Sequence, residues 1–131
     1  MNRFASWAPI ALSILRIVAA LLFMEHGLMK LFHFPTAPAG VPSPLPPLLM
    51  AAAWIEVVGG ALLALGLFTR PAALIMSGEM AVGYWMVHAP QSLDPAVNKG
   101  EAAILYCFIF LYFAFAGAGL WSLDAQVRKR P

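Results

Sequence analysis

The sequence predicts an all-α integral membrane protein, a four-helix bundle with both its N- and C-termini in the cytoplasm. Of its 131 residues, 62% are hydrophobic and only 11% are charged, whereas an ordinary soluble domain carries about 25% charged residues. The apolar residues are also gathered into four long segments separated by polar or proline-rich stretches. A chain of this length has room for one small bundle, so residues 1–131 are predicted to form a single transmembrane domain.

The four predicted helices follow from the length of the apolar segments. A spanning helix needs about 20 mostly apolar residues, and the segments at about 9–31, 48–68, 71–88 and 100–119 approach or meet this length. The first segment lies where a signal peptide would, but its apolar stretch is too long and Arg16 interrupts it. We therefore expect it to remain as the first helix.

The three connections differ in composition. Residues 32–47 hold six prolines and no Lys, Arg, Asp or Glu, which predicts an extended, semi-rigid crossing. The short stretch 68–71 predicts a tight turn, with its proline opening the third helix. Residues 89–99 are polar and predict a loop.

The distribution of basic residues predicts the orientation. Arg3, Arg70 and the tail residues Arg128, Lys129 and Arg130 lie on one side of the predicted bundle, and Lys30 and Lys99 lie on the other. The positive-inside rule places the richer side in the cytoplasm. A short basic tail beside a membrane helix is more typical of orientation than of nucleic-acid binding, so no nucleic-acid partner is expected.

Three carboxylates are predicted to share one level of the bundle. At about 1.5 Å per helical residue, Glu25, Glu56 and Glu79 lie roughly 9, 12 and 13 Å from the outer ends of their helices, with His26 at the same level. An ionised group facing lipid at this depth costs several kcal/mol. We therefore expect these side chains to line one outward-opening polar pocket. Three ionised carboxylates would repel one another, so a proton, a cation or a polar ligand is expected to balance them.

Three further charged residues are candidates for the same pocket. Arg16 lies deeper, at roughly 22 Å, and is predicted to point inward and meet a carboxylate, with Glu56 and Glu79 as the expected partners. Lys30 is predicted at the rim and Glu101 at the mouth of the fourth helix. Each has a structural alternative: a buried ion pair for the arginine, snorkelling to the interface for the lysine, and a favourable helix N-terminus for the glutamate.

No metal centre is predicted. A di-iron bundle needs Glu-x-x-His on its helices, whereas Glu25 and His26 are adjacent and point apart. Haem is also unlikely to bind between a histidine pair, because His26 and His88 differ in depth by about five residues. Cys107 is the single cysteine, which excludes a disulfide or a dithiol relay within the chain.

The ordered set of motifs along the chain resembles the DoxX family of small membrane proteins. The motifs are an arginine and EHGLMKLF in the first helix, EVVGGALLALGLFTRPAAL in the second, VHAP closing the third, and NKGEAAILY and GAGLWSLDA around the fourth. The likeness extends from about Leu15 to Ala125. It departs from the family pattern at 117–119, where the family more often has a central proline, and Glu79 matches no family motif. The polar residues that match are Arg16, Glu25, His26, Lys30, Glu56 and Glu101.

The resemblance implies a four-helix, multi-pass protein of the bacterial inner membrane. Some relatives are associated with quinone-linked sulfur oxidation or act as membrane partners of oxidoreductases and thiol-stress enzymes, and more distant ones resemble assembly factors. The leading hypothesis is therefore the membrane subunit of an oxidoreductase complex, with a pocket for a quinone headgroup or a small polar substrate. The alternatives are a structural or assembly subunit of a larger membrane complex, or a small-molecule transporter. The expected partners are the lipid bilayer and either a second protein or further copies of the chain; catalytic residues are unknown.

Overall fold

The computed structural model describes residues 2–128, which form helices and no strand, so the all-α prediction is confirmed. Lys129 and Arg130 of the predicted basic tail lie outside the described residues. The helices are α1 (Ala8–Phe32, preceded by a 3₁₀ turn at Arg3–Trp7), α2 (Pro47–Trp54), α3 (Gly60–Leu65), α4 (Thr69–Gly83), α5 (Pro95–Asn98), α6 (Glu101–Ala116) and α7 (Leu123–Arg128). A π-helical segment, Ile55–Gly59, joins α2 to α3, and a second, Tyr84–His88, continues α4.

Two helical runs within the described residues are long and apolar enough to cross a membrane, Arg3–Phe32 and Pro47–Leu65. Helix α6 is apolar but has only 16 residues, and about 20 are needed for a full crossing. Two of the four predicted spans therefore have both the length and the hydropathy of a membrane helix. The count of four remains a prediction.

Glycines set two helix ends earlier than the hydrophobic pattern predicts. Helix α3 ends at Leu65 because Gly66 adopts a left-handed conformation, with φ of 68°, and the N–H of Leu67 turns back to the carbonyl of Leu62 at 2.9 Å. Helix α6 ends at Ala116, where Gly117 has φ of 83°. Residues 33–46 contain no helix, as their prolines predict.

Small residues bring α1 close to the α2–α3 run. A Cβ on Gly27 would lie 2.7 Å from the carbonyl oxygen of Ala53, and one on Gly60 would lie 2.8 Å from the Cβ of Met24. Helix contacts through small residues are typical of membrane proteins, because the backbones can approach closely. This approach brings the charged end of α1 beside the π-helical segment Ile55–Gly59.

Aromatic packing closes the bundle between α1 and α6. The ring of Phe23 meets that of Phe110 edge to face, with centroids 4.8 Å apart, an arrangement favoured by the quadrupoles of the two rings. Helices α4 and α6 form the most extensive contact between any two helices of the described residues. The buried core consists of Ala19, Ala20, Phe23, Leu63, Ala72, Ala73, Met76, Phe110 and Phe113.

The C-terminal segment caps the start of α4. The N–H groups of Phe68 and Thr69 donate to the two carboxylate oxygens of Asp124, at 2.9 and 3.0 Å. Partial burial raises the pKa of Asp124, but these N–H donors and the nearby charge of Arg128 outweigh it, and the pKa lies below its ordinary value.

Candidate functional site

A cavity of about 480 Å³ lies between α2 and α4, together with their π-helical continuations. Lys30 reaches it from α1 and Ala103 from α6. Most of its wall is apolar: Val41, Leu48, Leu49, Ala51, Ala52, Ile55, Ile75, Met80, Val82, Met86 and Val87. Gly78 and Gly83 also line it, and a Cβ at either position would meet no atom within 4 Å. Both glycines therefore leave open space on the α4 side of the cavity.

A buried ion pair forms part of the cavity wall. The ammonium of Lys30 donates to Oε1 of Glu56 at 2.6 Å and to Oε2 at 2.9 Å. The two side chains are only 17% and 3% exposed. Both charges are thus largely removed from solvent, and each compensates the other's lost hydration.

Glu79 adds a second carboxylate to this pair. Its Oε2 is buried and has no hydrogen-bond partner among the described residues, and Glu56 and Lys30 are the charged groups that act on it. One ammonium therefore faces two carboxylates. An unpaired buried oxygen of this kind favours a bound proton or a ligand that donates a hydrogen bond.

The π-helical segments place polar groups at the cavity. Glu56 is the second residue of one segment and His88 is the last of the other, and both side chains line the cavity. π-helical turns inside α-helices are rare and occur often at functional sites. Neither segment was predicted, because the apolar pattern carries no signal that separates a π turn from an α turn.

His88 is a site residue that the sequence analysis missed. Its Nδ1 donates to the carbonyl of Asn98 at 2.9 Å, since a carbonyl oxygen only accepts, and Nε2 is the ring nitrogen that this bond leaves free. Asn98 is fully buried and its Oδ1 accepts from the N–H of Gly100 at 2.8 Å. His88 belongs to the VHAP motif, from which the sequence predicted only the end of the third helix.

A second cavity, of about 370 Å³, lies under the proline-rich segment 33–46. Its wall includes Leu31, Met50 and eight residues of the segment, His33 among them, and it shares Lys30 and Val41 with the first cavity. The two spaces therefore meet at the lysine of the ion pair.

The structure does not bring Glu25, His26 or Glu101 to this site. All three are exposed on the chain, and the ring of His26 lies near that of Tyr106, with centroids 6.5 Å apart. At about 100° per residue, the direction of Glu25 differs from that of Lys30 by about 140°. Of the residues predicted to line one pocket, Lys30, Glu56 and Glu79 lie together at the cavity. The remaining predicted residues lie elsewhere.

Arg16 points inward and is fully buried, but among residues 2–128 it forms no ion pair with Glu56 or Glu79, the two predicted partners. The carboxylate whose charge acts on it is that of Asp124. Its guanidinium donates to the carbonyls of Leu63 and Trp121 at 2.8 and 2.7 Å, and to that of Ala118. The last carbonyls of a helix lack N–H partners and favour a cation. Because α3 ends at Leu65, the carbonyl of Leu63 accepts both from the N–H of Gly66 and from Arg16. Arg16 thus joins the end of α3 to the C-terminal segment.

The described residues offer no cluster suited to a metal. Within residues 2–128, no three His, Cys, Asp or Glu side chains lie close enough together to hold a metal ion.

Comparison with known proteins places the chain in a family. The profile of the DoxX family matches residues 11–89. The chain is 43% identical over 134 residues to an uncharacterized protein of Haemophilus influenzae (strain ATCC 51907 / DSM 11121 / KW20 / Rd), which covers 99% of this chain and all of the relative. It is 30% identical over 134 residues to inner membrane protein YphA of Escherichia coli (strain K12), covering 94% of each. No solved structure matches the chain. The extent of these matches shows that the chain belongs to the DoxX family.

Proposed function

We propose that this DoxX-family chain is a multi-pass inner-membrane protein that binds a small amphipathic molecule, such as a quinone, as the membrane subunit of an oxidoreductase complex. The inner-membrane location is supported by the relative in Escherichia coli whose name carries it. The observation that carries the binding role is the cavity between α2 and α4, where Lys30, Glu56 and Glu79 meet within mostly apolar walls.

The composition of the cavity wall suits a molecule with a polar head and an apolar body. Small-molecule sites are typically apolar with a few placed polar groups. The unpaired Oε2 of Glu79 can accept from a ligand hydroxyl, and the ammonium of Lys30 can donate to a ligand carbonyl. A quinol offers the first group and a quinone the second.

The chain supplies proton-carrying groups and needs a partner for electrons. Reduction of a quinone consumes two electrons and two protons. The carboxylates and His88 are proton-carrying groups at the cavity. The second cavity shares Lys30 and Val41 with the first, and in this proposal protons would reach the first cavity through it. With a single cysteine, the chain has no dithiol of its own, so the electrons are supplied by a partner oxidoreductase.

The four predicted spans give the two cavities an orientation in the membrane. With both termini in the cytoplasm, residues 33–46 and the second cavity face outward, and the first cavity opens between helices at membrane depth. An apolar ligand would then enter from the bilayer and its protons from the outer aqueous side.

The proposal is tested by measuring equilibrium binding of a short-chain benzoquinone to the purified protein in lipid nanodiscs. We expect saturable binding that Glu79→Gln and Lys30→Met each weaken by about tenfold or more, as expected for loss of a hydrogen bond to a charged group. Glu101→Gln, which changes an exposed carboxylate outside the cavity, is the matched control and should bind like the parent. Equal binding by all four proteins would exclude the cavity as the site.

The oxidoreductase complex is tested separately by mild-detergent purification with mass spectrometry. A copurifying oxidoreductase supports the proposal. Quinone binding without any such partner would leave a binding protein or carrier, and partners without redox cofactors would favour the structural or assembly alternative.

A further inference from the structure

The exposed face of α1 carries an acid and a base next to each other at membrane depth. Glu25 and His26 are both exposed on the chain, and neither forms a hydrogen bond or ion pair among the described residues. The run Arg3–Phe32 has 30 residues and is about 45 Å long, against a hydrocarbon thickness of about 30 Å. With the excess shared between the two ends, hydrocarbon begins about 8 Å from the Phe32 end, and Glu25, about 10 Å from that end, lies within it.

Exposure to lipid at this depth is unfavourable for a carboxylate and an imidazole. Such groups in membrane helices face a protein interior or pair with one another. Glu25 and His26 cannot pair well with each other, because adjacent residues of a helix point about 100° apart. They therefore require a partner outside the chain.

The same face has the spacing of a helix–helix seam. The residues Ala11, Leu15, Val18, Leu22, Glu25, Met29 and Phe32 recur at alternating intervals of four and three. All of them are exposed except Met29, which is half-buried. A sustained repeat of this kind on one face is typical of helices that pack in parallel, and a polar residue in the seam fixes the register. The exposed face of α6 is apolar as well, but no acid–base pair lies on it at this depth.

We propose that this face of α1 is the interface for a second copy of the chain. Two copies inserted in the same direction are related by a two-fold axis along the membrane normal, so their α1 helices run parallel. When the axis passes between the directions of Glu25 and His26, the glutamate of each copy lies opposite the histidine of the other. Each copy thus supplies the partner that the other lacks. The self-complementary charge identifies a second copy as the occupant rather than lipid alone or another protein.

Cysteine cross-linking in native membranes tests the interface directly. In a Cys107→Ser background, Leu22→Cys places a thiol in the proposed seam, and Leu74→Cys places one on α4 as a matched control, since the two leucines are 51% and 57% exposed. We expect oxidation to give a disulfide dimer for Leu22→Cys and little for Leu74→Cys. Equal cross-linking at both positions, or a Leu22→Cys adduct with the mass of a different protein, would overturn the proposal.

A charge exchange tests the pairing itself. Dimerisation is measured by energy transfer between labelled copies in lipid vesicles. Glu25→Gln and His26→Gln should each weaken it by about 30-fold, as for loss of one partner of a buried charged pair. The exchange Glu25→His with His26→Glu should restore it, because the reciprocal contacts are re-formed. Thermal unfolding of the variants in detergent, where the monomer is populated, shows whether each still folds. Failure of the exchange in folded protein would overturn the pairing.

Discussion

Lys30 and Arg16 are both cations on α1, but their partners differ in kind. Lys30 binds the carboxylate of Glu56, whereas Arg16 binds backbone carbonyls at the end of α3 and in the C-terminal segment. The lysine therefore belongs to the cavity and the arginine to the scaffold. The sequence does not predict this difference, because Arg16 and Lys30 lie on nearly the same face of α1.

Removing Lys30 should be more damaging than removing the pair. Lys30→Met leaves Glu56 and Glu79 buried without a cation, and stranding one partner of a buried pair costs about 3–5 kcal/mol. The double variant Lys30→Met/Glu56→Leu should recover most of this loss. Reversible unfolding in mixed detergent–SDS micelles measures both. A lysine that only reaches for the interface would give a single variant as stable as the parent.

Arg16→Met should destabilise the fold without acting on the cavity. It removes the arginine donor from the carbonyls of Leu63, Ala118 and Trp121, and an unsatisfied buried group such as that of Ala118 costs about 1–3 kcal/mol. Arg16→Lys should recover only part of this, because one ammonium cannot match the planar fork of the guanidinium. The unfolding measurement described for Lys30 applies, with exposed Arg3→Met as a control that should change stability by less than about 0.5 kcal/mol. Parent-like stability of Arg16→Met would contradict the scaffold role.

Residue depth could be predicted from the sequence, whereas residue direction could be predicted only in part. Counting along helices put Glu56 and Glu79 at one level, and both line the same cavity. The direction of the Glu25 side chain could not be predicted, because it depends on which face of α1 packs on α2–α3. Apolar residues occur on all sides of α1, so the sequence does not identify that face. The carbonyl partners of Arg16 depend on where α3 ends, and hence on the left-handed conformation of Gly66.

At the scale of the element, Gly78 of α4 lowers the stability of the helix and leaves space in the cavity. Gly78→Ala should stabilise the protein by about 0.5–1 kcal/mol, because glycine is unfavourable inside a helix and the added Cβ meets no atom within 4 Å. Gly78→Leu should extend into the cavity and abolish benzoquinone binding while the fold remains intact. Thermal unfolding and nanodisc binding report the two effects. Binding that survives Gly78→Leu would place the ligand elsewhere.

The cap on α4 gives the fold an acid-sensitive contact. The pKa of Asp124 is depressed in the folded chain, so the unfolded chain binds more protons at low pH. The stabilisation is complete above the ordinary pKa of 3.8 and is lost as the pH falls below it. Asp124→Asn should cost about 1 kcal/mol at neutral pH and flatten this part of the stability profile. An unchanged acid profile in the variant would remove Asp124 as its cause.

Some elements were predictable and others were not. The prolines of 33–46 excluded a helix there, since they remove N–H donors and restrict the backbone. The π-helical segments could not be predicted, because Ile55–Gly59 lies in an uninterrupted apolar run that an α-helix accommodates equally well. These segments position Glu56 and His88, so the geometry of the cavity depends on the part of the fold that the sequence pattern does not resolve.

At the scale of the molecule, the two ends of the bundle differ in their contacts. One end joins the C-terminal segment to α3 and α4 through Arg16 and Asp124. The other end holds both cavities and the proline-rich segment. Such a division suits the proposed binding role, in which one end of the bundle holds the helices together and the ligand enters at the other.

The proposed orientation makes a prediction about the whole chain. With four spans and more basic residues on the side of the termini, a reporter fused to the C-terminus should be active only as a cytoplasmic reporter. In a Cys107→Ser background, Ala39→Cys, in the proline-rich segment and exposed, should react with a membrane-impermeant maleimide in intact cells. Val127→Cys, which is 58% exposed, is the matched control and should react only after permeabilisation. If only Val127→Cys reacts from outside, the orientation of the cavities is the reverse of the one proposed. If both positions react from outside, the number of crossings is odd.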